Sequence, residues 1–273
     1  MESKKILYVS QEIHPYLPEN EISRPSLEMP KKMNAKGHQV RVFMPRFGLI
    51  NERRHQLHEV IRLSGINIII NDMDQPLIIK VASVPQARMQ VYFIDNEEYF
   101  KRKALFTDEK NQLFSDNDQR AIFFCRGVIE TVRKLSWQPD IIHCHGWMAS
   151  FLPLYLKRFF HDDPLFADSK MVLSIYSGQE GKLGDKLSET LNFDGLAKKD
   201  LDRYQENSIK GAYRAAFPLL DGVVNGSTDT DAELLEAAQS EVPHFLDLSG
   251  SAKKPADVHQ LYQQIAVEES SVA

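Results

Sequence analysis

The stretch Pro139-Asp-Ile-Ile-His-Cys-His-Gly-Trp-Met148 decides how this chain folds. It predicts a short buried strand, Ile141–His143, followed by a turn into an apolar helix from Trp147 to Phe160. His143 and His145 are two residues apart, so their side chains lie on the same side of an extended chain. In an open α/β sheet, ligands bind beyond the carboxyl ends of the strands. The stretch therefore predicts a binding crevice beside the two histidines.

The segments nearest the amino end show a strand, a helix and a second strand. Lys5–Ser10 is a continuous apolar run typical of a buried parallel strand, and Gln39–Met44 predicts the next one. Pro25 suits the first turn of a helix between them, and Gly37 suits its end. This spacing indicates a βαβ unit.

Residues 58–95 interrupt that alternation. Short β-rich runs separated by polar turns, namely Ile61–Leu63, Ile66–Ile70 and Leu77–Val81, predict a hairpin-containing insertion. The insertion rejoins the sheet at Val91–Ile94. A loop with a short helix follows, and residues 118–135 then carry apolar side chains at helical spacing, which predicts an amphipathic helix.

The last part of the chain returns to alternating elements. Predicted strands are Met171–Tyr176, Asp221–Val224 and Val242–Leu248, and predicted helices are Asp202–Phe217, Thr228–Ala238 and Pro255–Ile265, with a frayed end from Val267 to Ala273. The polar residues 177–200 show no clear pattern. The whole pattern favours an α/β fold with a doubly wound, mainly parallel sheet.

Composition excludes several classes of function. Of the 273 residues, 42% are apolar and 26% charged, which is ordinary for a globular protein. The net charge of −5 argues against a surface for nucleic acid or anionic membranes. Two cysteines, Cys125 and Cys144, and no visible signal peptide or long apolar run favour a cytoplasmic protein.

The motifs of several common active sites do not occur. The His143-Cys144-His145 triplet has the residue types of a metal site, but no Cys-x-x-Cys pair or second histidine cluster supplies the other ligands. We therefore expect no metal, a structural His143 and a functional His145. The loop after the first strand has no G-x-G-x-x-G, and no Walker-A sequence or G-x-S-x-G elbow occurs.

Several motifs, in the same order, resemble bacterial glycogen and starch synthases (glycosyltransferase family 5). They are Lys5-Ile-Leu-Tyr-Val-Ser-Gln-Glu12 with Pro15, Gly37-His-Gln-Val-Arg-Val-Phe-Met-Pro-Arg-Phe-Gly48, Val91-Tyr-Phe-Ile-Asp-Asn96 with Glu98-Tyr-Phe100, Asp116-Asn117 with Arg120 and Phe123, and Trp137-Gln-Pro-Asp-Ile-Ile-His-Cys-His-Gly-Trp147. The match runs in register over residues 4–158 and continues more weakly over residues 171–238.

The resemblance implies the GT-B architecture, in which two Rossmann-like domains face each other across a cleft. The family moves glucose from ADP-glucose to an α-1,4-glucan with retention of configuration, and it needs no further cofactor. Residues 1–240 are expected to be the first, acceptor-side domain, and residues 241–273 a tail with a short helix and no second Rossmann domain.

Two departures from the family's motifs change the expected function. The Lys-x-Gly-Gly-Leu signature is replaced by Pro18, Glu19, Asn20, Glu21 and Ile22, which removes a cation from the donor phosphates. In the family's His-x-His-Asp-Trp-His, Asp becomes Gly146 and the last His becomes Met148. The resemblance implies His145 and Asp116 as catalytic residues, and substrate binding by Glu12, Pro18, Asn20, Glu21, Trp147 and Tyr176.

We therefore expect a motif-degenerate relative that binds an α-glucan or a nucleotide sugar and transfers little glucose by itself. The alternative is an active glucosyltransferase whose donor site is completed by another chain. A partner from glycogen metabolism and self-association stay open. Two further hypotheses are an unrelated α/β domain that binds another sugar or nucleotide, which the resemblance disfavours, and a metal-dependent hydrolase, which is weaker still.

Overall fold

A computed structural model of the chain describes residues 3–84, 87, 89–178, 180–250 and 255–267. Ten strands form its sheet: β1 Lys5–Ser10, β2 Gln39–Pro45, β3 His58–Glu59, β4 Ile66–Ile70, β5 Met73–Val84, β6 Met89–Asp95, β7 Ile141–His145, β8 Lys170–Ile175, β9 Gly222–Asn225 and β10 His244–Asp247. The helices are α1 Pro25–Ala35, α2 Glu52–His55, α3 Glu97–Phe100, α4 Asn117–Lys134, α5 Leu152–Phe159, α6 Leu187–Phe193, α7 Lys198–Leu201, α8 Ile209–Ala216, α9 Ala232–Glu241 and α10 Pro255–Val267.

The strand order confirms the predicted doubly wound sheet. The order is β10-β9-β8-β7-β1-β2-β6-β5-β3, with β4 pairing with β5 outside this path. All pairs from β10 to β6 are parallel. The pairs that involve β5 are antiparallel, which confirms the hairpin insertion. Asn71 and Asp72 both have positive φ at the tip of the β4–β5 hairpin, as a tight type I′ turn requires.

The chain changes direction across the sheet between β1 and β7. From β1 the sequence winds to β2 and β6 on one side, and β7 to β10 lie on the other. Crossovers diverge at such a switch point and leave a crevice outside the carboxyl ends of the two strands. Ser10 pairs with His145 in register, so both strands end together at this crevice.

Several predicted boundaries were wrong. The helix expected from Trp147 begins as a 3-10 turn, Trp147–Phe151, and becomes α-helical only near Pro153, which lacks an N–H and suits the first turn. Ile61–Leu63 forms a turn rather than a strand. The helix expected over residues 202–217 breaks, because the Ser208 hydroxyl accepts a hydrogen bond from the Gly211 N–H and starts α8 there.

Asp231 caps α9 in the same way, because its carboxylate accepts a hydrogen bond from the Leu234 N–H at 2.9 Å. The helix predicted from Thr228 therefore begins at Ala232. The segment without a clear pattern contains α6 and α7. The predicted frayed end covers residues 267–273; residue 267 is still part of α10, and residues 268–273 lie outside the described residues.

The last described elements belong to the same core as the first. β10 extends the parallel sheet beside β9, and α10 packs against α1. Val258, Leu261, Tyr262 and Ile265 of α10 are buried. A domain boundary at residue 240 stays a prediction. No helix among the described residues has the length and apolar character that crossing a membrane requires.

Candidate functional site

Two stacked histidines end β7 at the switch point. The rings of His143 and His145 lie 4.3 Å apart between centroids, and both side chains are fully buried. His143 contacts the Tyr262 hydroxyl through Nδ1 at 2.5 Å and the Ser174 hydroxyl through Nε2 at 2.8 Å. His145 contacts the Tyr176 hydroxyl through Nδ1 at 2.8 Å. Both nitrogens of His143 therefore have partners, as expected for a structural residue.

His145 is a neutral imidazole, and one of its ring nitrogens has no hydrogen-bond partner among the described residues. Burial lowers its pKa to about 3. Burial also lowers the pKa of His143, and the adjacent His145 adds to this effect. The Nε2 atom of His145 has no hydrogen-bond partner among the described residues. Such a ring can exchange a hydrogen bond with a hydroxyl group, but it does not offer a positive charge to a phosphate.

The Gln11 side chain packs closely against Gly146, next to His145 in the sequence. Gly146 has φ of +84°, and a Cβ there would lie 2.2 Å from Gln11 Oε1. The same oxygen accepts a hydrogen bond from the Met148 N–H at 3.3 Å. The Gln11 side chain thus occupies the space that an aspartate at position 146 would need. Sequence reasoning missed Gln11, although its place directly after β1 was a signal that it reaches the crevice.

Glu12 and Asn20 hold the loop that follows β1. Glu12 is buried, and its two carboxylate oxygens accept hydrogen bonds from Asn20 Nδ2 at 2.6 Å and Gln11 Nε2 at 3.1 Å. Asn20 Oδ1 in turn accepts from the N–H groups of Ile22 and Ser23. The structure therefore brings these two predicted binding residues together as a support for the loop.

Pro18 and Glu21 lie at the exposed surface of the same loop. The Pro18 carbonyl accepts a hydrogen bond from the Ser23 hydroxyl at 2.8 Å. A Glu21 carboxylate oxygen accepts one from the Ser227 hydroxyl at 2.5 Å, which ties the loop to the segment after β9. The loop therefore presents a carboxylate to the crevice side of the sheet.

Asp116 immediately precedes α4 and forms an ion pair with Arg102. One of the two hydrogen bonds measures 2.7 Å, and a second one joins Arg102 Nη2 to Asp116 Oδ2. The Arg102 guanidinium also lies over the Phe114 ring at 4.6 Å. Across the described residues, Asp116 and His145 share no hydrogen bond: Asp116 pairs with Arg102 and His145 with Tyr176. No sequence signal indicated Arg102.

Asp118, two residues further on, is buried against the backbone of Gly184. Its carboxylate accepts hydrogen bonds from the N–H groups of Gln119 at 2.7 Å and Lys186 at 3.0 Å. Burial nevertheless raises its pKa to about 6. Asp118 therefore links the start of α4 to the segment before α6, and the sequence pattern did not single it out.

Trp147 and Tyr176 have different surroundings. Trp147 is buried with its ring edge against Phe106, at 5.1 Å between centroids. Tyr176 carries the hydroxyl that contacts His145, and its ring packs on Gly226, where a Cβ would come within 2.3 Å. Burial raises the pKa of the Tyr176 phenol, which therefore stays protonated.

A cavity of about 580 Å³ opens beside Tyr176, between α1, the loop after β1 and the segment after β9. Acidic and basic side chains line it together with the Tyr176 ring. The lining includes His14, Glu19, Arg24, Glu28, Lys32, Tyr176 and Gly226. The Arg24 guanidinium is paired with Glu19 at 3.1 Å. The volume falls within the roughly 300–1,000 Å³ typical of small-ligand sites. We call this cavity the crevice pocket.

The described residues contain no group of three or more His, Cys, Asp or Glu side chains placed to hold a metal ion. The expectation that the site works without metal stays a prediction.

Comparison with known proteins agrees with this architecture. The family model for the starch synthase catalytic domain matches residues 5–242. A glycogen synthase of Chlorobium limicola is 41% identical over 174 residues, which are 63% of this chain and 36% of that protein. A glycogen synthase of Chlorobaculum parvum is 35% identical over 206 residues, or 72% of this chain and 42% of that protein. The chain thus spans about two fifths of the length of these relatives.

Among solved structures, the catalytic domain of starch synthase IV from Arabidopsis thaliana, bound to ADP and acarbose, superposes with a TM-score of 0.70 at 16% identity, covering 90% of this chain and 52% of that one. At that identity the likeness concerns the fold alone, which is that of one half of the GT-B architecture. Because the family model covers nearly the whole described sheet, this chain belongs to the family of starch synthase catalytic domains and is a glycogen/starch synthase-like glycosyltransferase domain.

Proposed function

We propose that this chain is the acceptor-side domain of a glycogen/starch synthase-type protein, that it binds α-1,4-glucan, and that it transfers little glucose from ADP-glucose by itself. Residues 1–240 would form that domain. The loop after β1 is the observation that carries the proposal, because there Pro18 stands where the family has the lysine, and Asn20 and Glu21 stand where it has the two glycines.

The electrostatics of the loop oppose a nucleotide diphosphate. Glycosyl transfer from ADP-glucose releases a diphosphate, so the transition state requires hydrogen-bond donors and positive charge around the leaving group. Glu21 is exposed on the loop, and Glu19 neutralises Arg24 by an ion pair at 3.1 Å. Pro18 offers neither a charge nor an N–H. The loop therefore lowers the affinity for the donor and not for a neutral glucan.

The groups beside the loop suit a neutral ligand. His145 is uncharged and has a ring nitrogen without a partner among the described residues, and the Tyr176 hydroxyl is next to it. Asp116 is already paired with Arg102. Sugar hydroxyls both donate and accept hydrogen bonds, so they can pair with groups of this kind without a countercharge.

Two assays on the purified chain test the proposal. Electrophoresis in native gels with and without glycogen measures glucan binding, and incubation with radiolabelled ADP-glucose and glycogen measures transfer. We expect retardation by glycogen and incorporation no greater than with heat-denatured protein. Incorporation by the pure chain that disappears in His145→Ala would refute the proposal, and the absence of retardation would refute glucan binding. Incorporation that requires added cell extract would support the alternative, in which another chain completes the donor site.

A charge-reversal pair tests the role of the loop. Glu21→Lys should strengthen ADP binding, measured by calorimetry, because it replaces a repulsive carboxylate with a cation. Glu97→Lys is the matched control, since Glu97 is 81% exposed on α3 and the change in net charge is the same. Equal effects of the two variants would show that net charge alone matters and that the loop has no specific role.

A further inference from the structure

A second cavity, of about 240 Å³, lies away from the strand ends, between α4, α5 and the end of α6. We call it the aromatic pocket, and its walls include Arg126, Glu130, Tyr155, Phe159, Phe160 and Asp194. None of these residues lines the crevice pocket. The volume is below the roughly 300–1,000 Å³ of drug-sized ligand sites, so the pocket suits one ring rather than a nucleotide sugar.

The polar floor of the aromatic pocket is held in one geometry. Arg126 Nη1 donates to Asp194 Oδ1 at 2.9 Å and to the Ile69 carbonyl at 2.7 Å. The Tyr155 hydroxyl donates to the other oxygen of Asp194. Both Arg126 bonds use Nη1, and no described residue accepts a hydrogen bond from Nε or Nη2. The guanidinium therefore keeps donors for a ligand, already oriented before binding.

The rest of the pocket combines an exposed ring with a second polar group. Phe159 is 40% exposed, and Glu130 presents a partly exposed carboxylate. Both carboxylates of the lining have a cation beside them: Asp194 pairs with Arg126, and Glu130 pairs at 3.2 Å with Arg133, which lies outside the lining. Carboxylates that are already paired favour an uncharged ligand over a cation. A ring with an apolar face and several hydroxyls would stack on Phe159 and exchange hydrogen bonds with Arg126 and Glu130.

We propose that the aromatic pocket binds one glucosyl unit of an α-glucan, as an anchoring site separate from the crevice pocket. This inference rests on the proposed glucan binding and assigns part of it to a surface outside the sheet switch point. The exposed apolar residues Ile69, Met73 and Phe193 belong to the adjoining hairpin and α6, and they would also suit a protein contact. The oriented polar floor favours the sugar, and a protein contact is an outcome of the test.

The test uses the full chain, calorimetric titration with maltoheptaose and native electrophoresis in glycogen gels. Phe159→Ala should raise the dissociation constant roughly three- to tenfold, the usual loss for one stacked ring. Glu130→Gln should raise it less, since the amide still offers an acceptor. Phe193→Ala and Ile61→Ala are matched controls, because both remove an exposed apolar side chain outside the pocket, and they should leave it unchanged. Thermal unfolding confirms that each variant is folded.

The outcomes separate this inference from the proposed function. Binding by the parent that is weakened by Phe159→Ala and not by the controls supports the aromatic pocket. Binding that is equal in all variants overturns the pocket and leaves glucan binding intact. No binding by the parent overturns both. If Phe159→Ala and Phe193→Ala change the sedimentation of the chain and not its glucan binding, the surface is a protein contact and the inference is wrong.

Discussion

The hydroxyl of Tyr262 is the most informative single group to remove. It approaches His143 Nδ1 at 2.5 Å and donates to the Tyr8 hydroxyl at 3.0 Å, and all three side chains are buried. It is thus a polar contact through which α10 reaches β1 and β7 in the centre of the sheet. Tyr262→Phe removes this oxygen and keeps the ring.

The expected loss follows from the two groups that would be left behind. An ordinary intramolecular hydrogen bond contributes about 1 kcal/mol, but a buried group that loses its partner costs about 1–3 kcal/mol. With His143 and Tyr8 both affected, the free energy of unfolding should fall by about 2–4 kcal/mol. For a chain of this size each kcal/mol lowers the melting temperature by roughly 2–4 °C. Urea titration followed by circular dichroism measures the first quantity, and calorimetry the second.

Tyr204→Phe is the matched control. The Tyr204 ring is equally buried and stacks on Phe151 at 5.3 Å, but its hydroxyl has no hydrogen-bond partner among the described residues. Its removal should be neutral or stabilising. If Tyr262→Phe costs no more than Tyr204→Phe, the hydrogen bonds of α10 do not hold the core, and the reasoning fails.

Three further predictions concern stability. Burial holds the folded pKa of His145 near 3, below the ordinary value of about 6.5, so the unfolded chain takes up the proton first. The stability that this residue contributes is present above about pH 6.5, and lowering the pH to 5 should remove about 2 kcal/mol of it. Burial also lowers the pKa of His143, which adds to the fall, so the pH dependence measured by urea titration at each pH should be shallower in His145→Gln but still present. Gly146→Asp should lower the free energy of unfolding by about 2 kcal/mol or more, because the residue has a positive φ and its side chain would collide with Gln11. Adding Gln11→Ala should remove the collision and restore only that part of the loss. A single variant as stable as the parent chain would contradict the geometry. Arg158→Met should lower the free energy of unfolding by about 3 kcal/mol, because the buried Asp200 carboxylate would lose two hydrogen bonds of 2.7 Å. Arg158→Lys cannot form both bonds, so its loss in the same assay should be smaller than that of Arg158→Met but not zero.

The parallel strands were predictable because they are apolar runs bounded by turn residues, as in Lys5–Ser10. Element starts that depend on a hydrogen bond made by one side chain were not. Ser208 and Asp231 each set the first turn of a helix by accepting from an N–H, and either could have continued a longer helical pattern. β5 was predicted too short, because Leu77–Val81 is only the most apolar part of a strand that runs from Met73 to Val84.

The sequence predicted where a site residue lies in its own strand, but not which residues from distant segments contact it. His145 stood at the end of a strand, and that position alone placed it at the crevice. Its surroundings come from distant segments: Gln11 is on another strand end, and Tyr262, which fixes the neighbouring His143, is 119 residues away from it. Spacing patterns describe one element at a time, so contacts of this kind lie beyond them.

The hydrogen bond between Tyr8 and Tyr262 also constrains the order of events during synthesis. It joins residues 254 positions apart, so the first strand leaves the ribosome long before the helix that completes its surroundings. Until α10 docks, the polar atoms of His143 and Tyr8 and the apolar face beneath them remain open to water or to other chains. Contacts this distant in sequence slow folding and prolong the time during which partly folded intermediates expose apolar surface. We therefore expect the partly folded chain to be most prone to aggregation in the interval before α10 is released.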